Sequence, residues 1–185
     1  MNIQSKTPAT AEAFLRWNEG REGKREFVGG RVVELIINVT QAHFWLAARL
    51  QQQLAAQLGL DDYIVGSADF GVRCADHVRY PDVLVMRAGS DAKALSTGNP
   101  LLVAEILSAS SMADDFGRKK DDYLAIASLE HYVVLSQSEK ALWLWTRQGD
   151  DFGGPELFAE SPEPVLLRSL GVSLDPEALY RGIVA

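Results

Sequence analysis

Glu105 is the first residue that asks for a chemical explanation. It lies inside the run Leu101-Leu102-Val103-Ala104-Glu105-Ile106-Leu107, which is otherwise wholly apolar. Such a run has the pattern of a central strand buried on both faces. A carboxylate placed there is costly unless a cation or a hydrogen-bond donor pairs with it. A second acid, Asp82, follows Pro81 at the mouth of another apolar stretch, Val83-Leu84-Val85-Met86. The chain between the two acids is long enough for two neighbouring strands and their connection. If those strands pair, two carboxylates point at one spot. Two hard oxygen donors suit Mg²⁺ or Mn²⁺, which keep water ligands and need few protein groups. A cation held there can polarise a phosphodiester oxygen and supply a hydroxide. Each acid also has a plainer reading. Asp after Pro often only opens a turn, and a strand Glu can sit at a strand end beside Arg or Lys.

Other residue types narrow the chemistry. Cys74 is the only cysteine, which excludes an internal disulfide and any multi-cysteine zinc or iron–sulfur site. His77 and His131 stand at no ligand spacing with His43. There is no glycine-rich phosphate loop and no G-x-S-x-G elbow. Arg79, just before Tyr80-Pro81-Asp82, could contact a phosphate, or could be a surface charge. His43 could shuttle a proton or touch substrate, or simply pack. Ser108, Ser110 and Ser111 read as caps for a following helix.

The elements that must position these groups follow from periodicity. Thr10 caps a short helix bearing Ala13, Phe14 and Trp17. Glu26 to Ile37 reads as a hairpin or bulged pair of strands turning at Gly29–Gly30. Thr40 to Leu58 is the clearest helix, with Phe44, Leu46, Ala47, Leu50, Leu54, Ala55 and Leu58 in its apolar stripe. Short strands are expected at Tyr63 to Gly66, Phe70 to Cys74 and Pro81 to Met86, then a polar loop to Asn99. The Glu105 strand and a helix from Asp114 to Ala127 come next. Strands at Glu130 to Ser136 and Ala141 to Trp145 lead to a turn over Gly149 to Gly154. Weak strands and a short helix from Asp175 to Tyr180 close the chain. Trp143 and Trp145 alternate with Leu142 and Leu144, so that strand is apolar on both faces. It is either central or, as an edge, a surface for self-association. The whole is an α/β mixture with the sheet in the middle.

Composition sets outer bounds. The 185 residues are 47% hydrophobic, enough for a core without disulfides or structural metal. No stretch approaches the roughly 18 consecutive apolar residues of a membrane span, and Met1 to Thr10 lacks a secretory pattern. The expected compartment is the cytoplasm. The net charge of −7 opposes a non-specific binder of long polyanions. A local site acting through a bound cation remains open to it.

A set of motifs adds a family resemblance. Glu26 with Gly30-Arg31-Val32-Val33-Glu34, His43, Pro81-Asp82-Val83, the Leu102–Ser108 segment, and Asp115 with Lys119 and Tyr123 occur in an order that resembles the Uma2 family. That family consists of endonuclease-like proteins with the restriction-endonuclease-like, PD-(D/E)xK fold. The likeness runs from the first helix to about Arg147. It implies one domain over 1–185: an N-terminal helix and lead-in (1–25), a nuclease-like core with a central mixed sheet flanked by helices (26–147), and a C-terminal extension (148–185). It further implies a Mg²⁺- or Mn²⁺-dependent endonuclease acting on nucleic acid, DNA foremost, and working as a homodimer.

Under that resemblance Asp82 and Glu105 would hold the metal. The usual nuclease motif places a lysine two residues after the Glu, where this chain has Leu107. In Uma2-like sequences the lysine stands on the next helix, in a D-x-x-x-K-x-x-x-Y pattern matched by Asp115, Lys119 and Tyr123. Lys119 would then orient water and offset charge at the scissile phosphate. At roughly 100° per residue, the inward face of that helix would be Phe116, Lys120, Tyr123, Leu124 and Ala127. Lys119 lies at its flank, so Lys120 competes for the role or binds substrate, unless it snorkels along the surface. Glu26, the family's third acid, would complete the metal site or hold Lys119, unless it is a surface acid beside Arg25. The main alternative is a non-catalytic binding or scaffold protein on the same fold. A small-molecule phosphodiesterase is a third reading.

Overall fold

Capping and apolar periodicity account for most elements of the computed structural model, which describes residues 7–35, 39–89, 91–107, 112–160 and 162–183. In chain order they are α1 (Ala11–Asn18), β1 (Lys24–Val28), β2 (Arg31–Leu35), α2 (Gln41–Gln57), β3 (Tyr63–Ser67), β4 (Gly71–Cys74), β5 (His77–Arg79), β6 (Val83–Arg87), β7 (Ser96–Thr97) and β8 (Pro100–Leu107). Then follow α3 (Met112–Asp115), α4 (Arg118–Leu124), β9 (His131–Ser136), β10 (Ala141–Gln148), β11 (Asp151–Ala159), β12 (Val165–Leu167), β13 (Val172–Leu174) and α5 (Pro176–Tyr180). Thr10 and Thr40 cap α1 and α2, each hydroxyl accepting from an amide three residues on. Gly29 and Gly30 both have positive φ, which the tight turn between β1 and β2 requires.

The strands form two main sheets rather than one. The larger is six-stranded and mixed, in the order β11-β10-β9-β8-β6-β3. Only β8 and β9 pair in parallel within it. A parallel pair needs a crossover connection, and α3 and α4 lie in it. The smaller sheet runs β2-β1-β5-β4-β7. It takes up the hairpin of Glu26, and it contains two short strands, β5 and β7, that lie in segments with no clear strand pattern.

Alternation along the central strands divides the core. Val83, Val85, Leu102, Ala104 and Ile106 pack with Leu46, Leu50 and Leu54 of α2 and with β12, β13 and α5. Leu84, Met86, Val103, Leu107, Tyr132 and Trp145 face the other way, toward Tyr123 of α4 and Val72 of β4. Glu105 alternates with Val103 and Leu107 and so belongs to this second face. A third cluster joins Phe14 of α1 to Phe27 and Val78 of the smaller sheet.

Several expectations need correction. Phe44 is 62% exposed and leaves the apolar stripe of α2. The expected helix from Asp114 to Ala127 is two pieces, broken between Asp115 and Arg118, and Ala127 lies beyond its end and is exposed. The expected turn from Gly149 to Gly154 is shorter, because β11 already begins at Asp151. The strand of Trp143 and Trp145, by contrast, is the expected central one: it is β10, paired on both sides, and the edge alternative falls away. Ser108, Ser110 and Ser111, read as helix caps, lie outside the described residues. Among the described residues no helix is long and apolar enough to cross a membrane.

His131 opens β9 with no exposed surface, its Nε2 2.8 Å from the Ser169 hydroxyl. Burial pulls its pKa from 6.5 to about 4. Between those values the unfolded chain binds more protons than the folded one, so stability is full above pH 6.5 and declines as pH falls toward 4. The decline amounts to roughly 3 kcal/mol. Urea unfolding of wild type and His131→Gln should show it: the stability difference shrinks or reverses between pH 7 and pH 4.5. A constant difference would mean that His131 is not buried as a neutral ring.

Candidate active site

The two acids meet because of strand register. In the β6–β8 pair Val83 lies opposite Ala104. One further step of the ladder sets Asp82 opposite Glu105, and directly opposed residues share a face. Asp82 is fixed there by the Ile106 amide, which donates to its Oδ2 at 2.9 Å. Glu105 is 3% exposed. The buried Tyr123 hydroxyl donates to its Oε1 at 2.9 Å.

Lys119 reaches the same carboxylate from above. Its Nζ lies 3.3 Å from Glu105 Oε1 and 3.1 Å from Asp115 Oδ1. Leu107, two residues past Glu105 on the same face, is apolar core. The α3–α4 crossover covers that face, so a helix delivers the charge that the strand does not. The helix break sets which lysine arrives. Gly117 occupies the break, where a Cβ would come within 2.6 Å of the Ala113 carbonyl oxygen. The inward face of α4 therefore carries Lys119 and Tyr123, followed by Ile126, all buried. Lys120, expected nearer the centre of that face, instead pairs with its neighbour Asp121 and is more exposed.

Glu26 and Arg79 form the adjoining layer. Phe27 opposes Val78 in the β1–β5 pair, so Glu26 opposes Arg79. The Arg79 guanidinium is 2% exposed. It donates to Glu26 at 2.8 Å, to Asp122 of α4 at 2.7 and 2.9 Å, and to Asp114 of α3 at 3.3 Å. A guanidinium so occupied does not present itself to a phosphate, nor is it a surface charge. Glu26, 1% exposed, is no surface acid either. Its other oxygen accepts from the Tyr80 amide at 3.2 Å. Its hydrogen bonds thus go to Arg79 and Tyr80, while its negative charge also favours the protonated Lys119.

His43 approaches from α2, with Nε2 3.1 Å from Asp82 Oδ2. Lys24 Nζ stands 4.0 Å from Asp82 Oδ1. His43 and Asp82 both line a cleft of about 750 Å³ between α2 and the segment leading into β1. Lys24 was not singled out from the sequence. Strand alternation could have found it, since Lys24 and Glu26 are two apart on β1 and share a face. Tyr123 had a signal in its spacing from Lys119. Asp122 had none, since its partner Arg79 is brought to it only by the packing of β5 under α4.

The electrostatics separate the two facing acids. Burial raises the Asp82 carboxyl, but the His43 hydrogen bond and charge, the Ile106 amide and Lys24 together hold it below its ordinary value. Glu105 goes the other way. Burial pushes it up to about 8; Lys119 opposes this, while the negative charge of Asp82, Asp115 and Glu26 adds to it. Burial also lifts the Cys74 thiol to about 12, which removes it as a nucleophile. Among the described residues no group of three or more His, Cys, Asp or Glu forms a metal cage. The donor set is instead two opposed carboxylates, Asp82 on the wall of the cleft and Glu105 buried behind it, in surroundings rich in negative charge. That fits an ion of the Mg²⁺ type, which takes one or two carboxylates and keeps its waters.

Comparison with known proteins finds a family and a shared fold. The family model described as "Uma2: Putative restriction endonuclease" matches residues 11–177. The Synechocystis protein slr1290, named as uncharacterized, is 27% identical over 93% of this chain and 91% of its own length. A second from the same organism, sll1609, is 29% identical over 69% of this chain and 75% of its own. A crystal structure from Anabaena variabilis, described as a putative nuclease belonging to DUF820, superposes with a TM-score of 0.74. It shares 16% identity and covers 94% of this chain and 98% of the other. The fold is thus shared well beyond the reach of sequence identity.

The Arg79 network yields a stability prediction. Removing one partner of a buried ion pair typically costs 3–5 kcal/mol, because charges are left uncompensated. Arg79→Ala should lose about that much in urea unfolding. Arg79→Lys should recover only part, since an ammonium cannot bridge Glu26 and Asp122 with a planar fork. A loss below about 1 kcal/mol for Arg79→Ala, the range of a surface pair, would refute the network as drawn.

Proposed function

The chain belongs to the Uma2 family of the PD-(D/E)xK, restriction-endonuclease-like superfamily, and from that premise we propose that it is a Mg²⁺- or Mn²⁺-dependent endonuclease that hydrolyses phosphodiester bonds in DNA. The observation that carries the proposal is the placement of Lys119 at 3.3 Å from Glu105, on the face where strand register sets Asp82 opposite that acid.

Asp82 and Glu105 would hold the ion. When bound, it would activate water and polarise the scissile phosphate. Lys119 supplies a fixed positive charge at that point, and burial between Glu105 and Asp115 keeps it ordered rather than mobile. Tyr123 fixes the Glu105 carboxylate by its hydrogen bond. His43 orients Asp82 from the cleft side and is itself within reach of an incoming strand. Glu26 and Arg79 act through position: they tie β1 and β5 to α4 and so set where Lys119 stands. Lys120, on the outer side of α4, is left to steer a phosphate backbone by charge alone.

A non-catalytic scaffold is the rival reading. Glu105 already has Lys119 and Tyr123 as partners, and an acid so satisfied could persist without a metal. Ion binding separates the two. A metal that binds only the folded state raises stability by mass action, about 2.7 kcal/mol at a hundred times its dissociation constant. Mn²⁺ should raise the melting temperature of wild type, and Asp82→Ala or Glu105→Ala should lose that rise together with cleavage of DNA. Lys119→Ala should lose cleavage but keep most of the Mn²⁺ response. Cleavage by Glu105→Ala at the wild-type rate would reject the site. No cleavage and no Mn²⁺ response in wild type would favour the scaffold.

A further inference from the structure

The cleft beside Asp82 has a wall that the reaction chemistry alone does not use. Phe44, Ala47, Ala48 and Gln51 line it at the spacing of one helical face. That face of α2 adjoins the one carrying Leu46, Leu50 and Leu54, which is buried in the core, and the half-buried Ala47 lies between the two. Phe44 is 62% exposed, and the alanines beyond it leave a low floor on which a flat ring can lie. The facing wall is polar: Arg21 and Arg25 stack over Trp17 and Arg25 pairs with Glu34, while Lys24 stands beside Asp82. Lys24 lies at 4.0 Å from Asp82, a loose contact from which an ammonium can turn to a phosphate.

One wall thus suits a planar apolar ring and the other an anion, with the candidate catalytic acid between them. A nucleotide has that pairing of parts, but in intact duplex the base faces are stacked out of reach. A volume of about 750 Å³ is that of a small-molecule site, which runs to roughly 300–1,000 Å³. The charge pattern agrees. The whole chain carries −7, and Glu19 and Asp69 also line the cleft. A long duplex gains affinity through many phosphate contacts, against which a net negative charge works, whereas an unpaired nucleotide needs few.

We propose that the site takes DNA as an unpaired strand, with a base stacked on Phe44 over the Ala47–Ala48 floor and its phosphate drawn by Lys24 toward Asp82. The substrate class rests on the nuclease reading above; the strand-binding geometry does not.

The test uses the full chain and a fluorescein-labelled oligodeoxynucleotide of about 12 nucleotides, within the span of known single-strand sites. Anisotropy is measured with Ca²⁺ in place of Mn²⁺, for the single strand and for its duplex. The single strand should bind at least tenfold more tightly. Base–aromatic stacking is lost on truncation, so Phe44→Ala should weaken single-strand binding about tenfold and leave the melting temperature unchanged. Phe44→Trp should restore it. Duplex binding as tight as single-strand binding overturns the proposal, as does a Phe44→Ala variant that binds like wild type. Cleavage in Mn²⁺ keeps the two readings apart. Phe44-dependent strand binding without cleavage sustains this inference and removes the nuclease reading. Glu105-dependent cutting of duplex without single-strand preference does the reverse.

Discussion

A carboxylate in a strand that is otherwise buried and apolar is the constraint from which much of this structure follows. Glu105 is 3% exposed, and in such a place an unpaired charge would be prohibitive. Two groups meet that demand, the Lys119 ammonium and the Tyr123 hydroxyl, and both come from α4. The helix therefore cannot slide or rotate on the sheet without stranding the acid. Lys119 in turn needs more than one acid in so dry a setting, and Asp115 of α3 provides the second. What holds the α3–α4 crossover onto the sheet is apolar packing in the cluster of Tyr123, Ile126, Tyr132 and Trp145; what fixes its register is charge.

The second layer of charge repeats that logic one step outward. Arg79 joins three carboxylates from β1, α3 and α4. It links the smaller sheet to the same crossover whose lysine serves the larger one. Isolated buried ion pairs seldom stabilise a protein relative to apolar packing. Their value here is geometric, because breaking either link leaves an uncompensated charge and so penalises every alternative docking of the helix. For the proposed function, the consequence is that Lys119 is positioned from both sheets at once.

Much of this was legible from residue order, and the parts that were not share a cause. The hairpin at Gly29–Gly30, the long α2, the buried β8 and the opposition of Asp82 to Glu105 all follow from local pattern and a strand period of two. The choice between Lys119 and Lys120 did not, because a helical wheel assumes an unbroken helix and Gly117 breaks this one. Arg79 looked like a surface charge or a phosphate contact because its three partners are remote in sequence and arrive only by tertiary packing. Phe44 fitted an apolar stripe by type, yet it points away from the core. There the pattern failed beside the cleft, which is where local rules commonly give way to other demands.

A lysine on a helix is a different device from a lysine on the strand. Two residues past the Glu, a strand lysine would be held by the ladder itself, and little beyond local unfolding could move it. Here Leu107 fills that place and improves the packing of the sheet face, while the charge is carried by an element only seven residues long. Its placement depends on the break at Gly117, on Asp115 and on the tie from Arg79 to Asp122. Placement of charge and helix docking thereby become one property. Any change that loosens α4 moves the ammonium away from Glu105, and any change that removes the ammonium loosens α4. A site built in this way trades the independence of its parts for a more apolar sheet, and the tie through Arg79 is what makes that exchange workable.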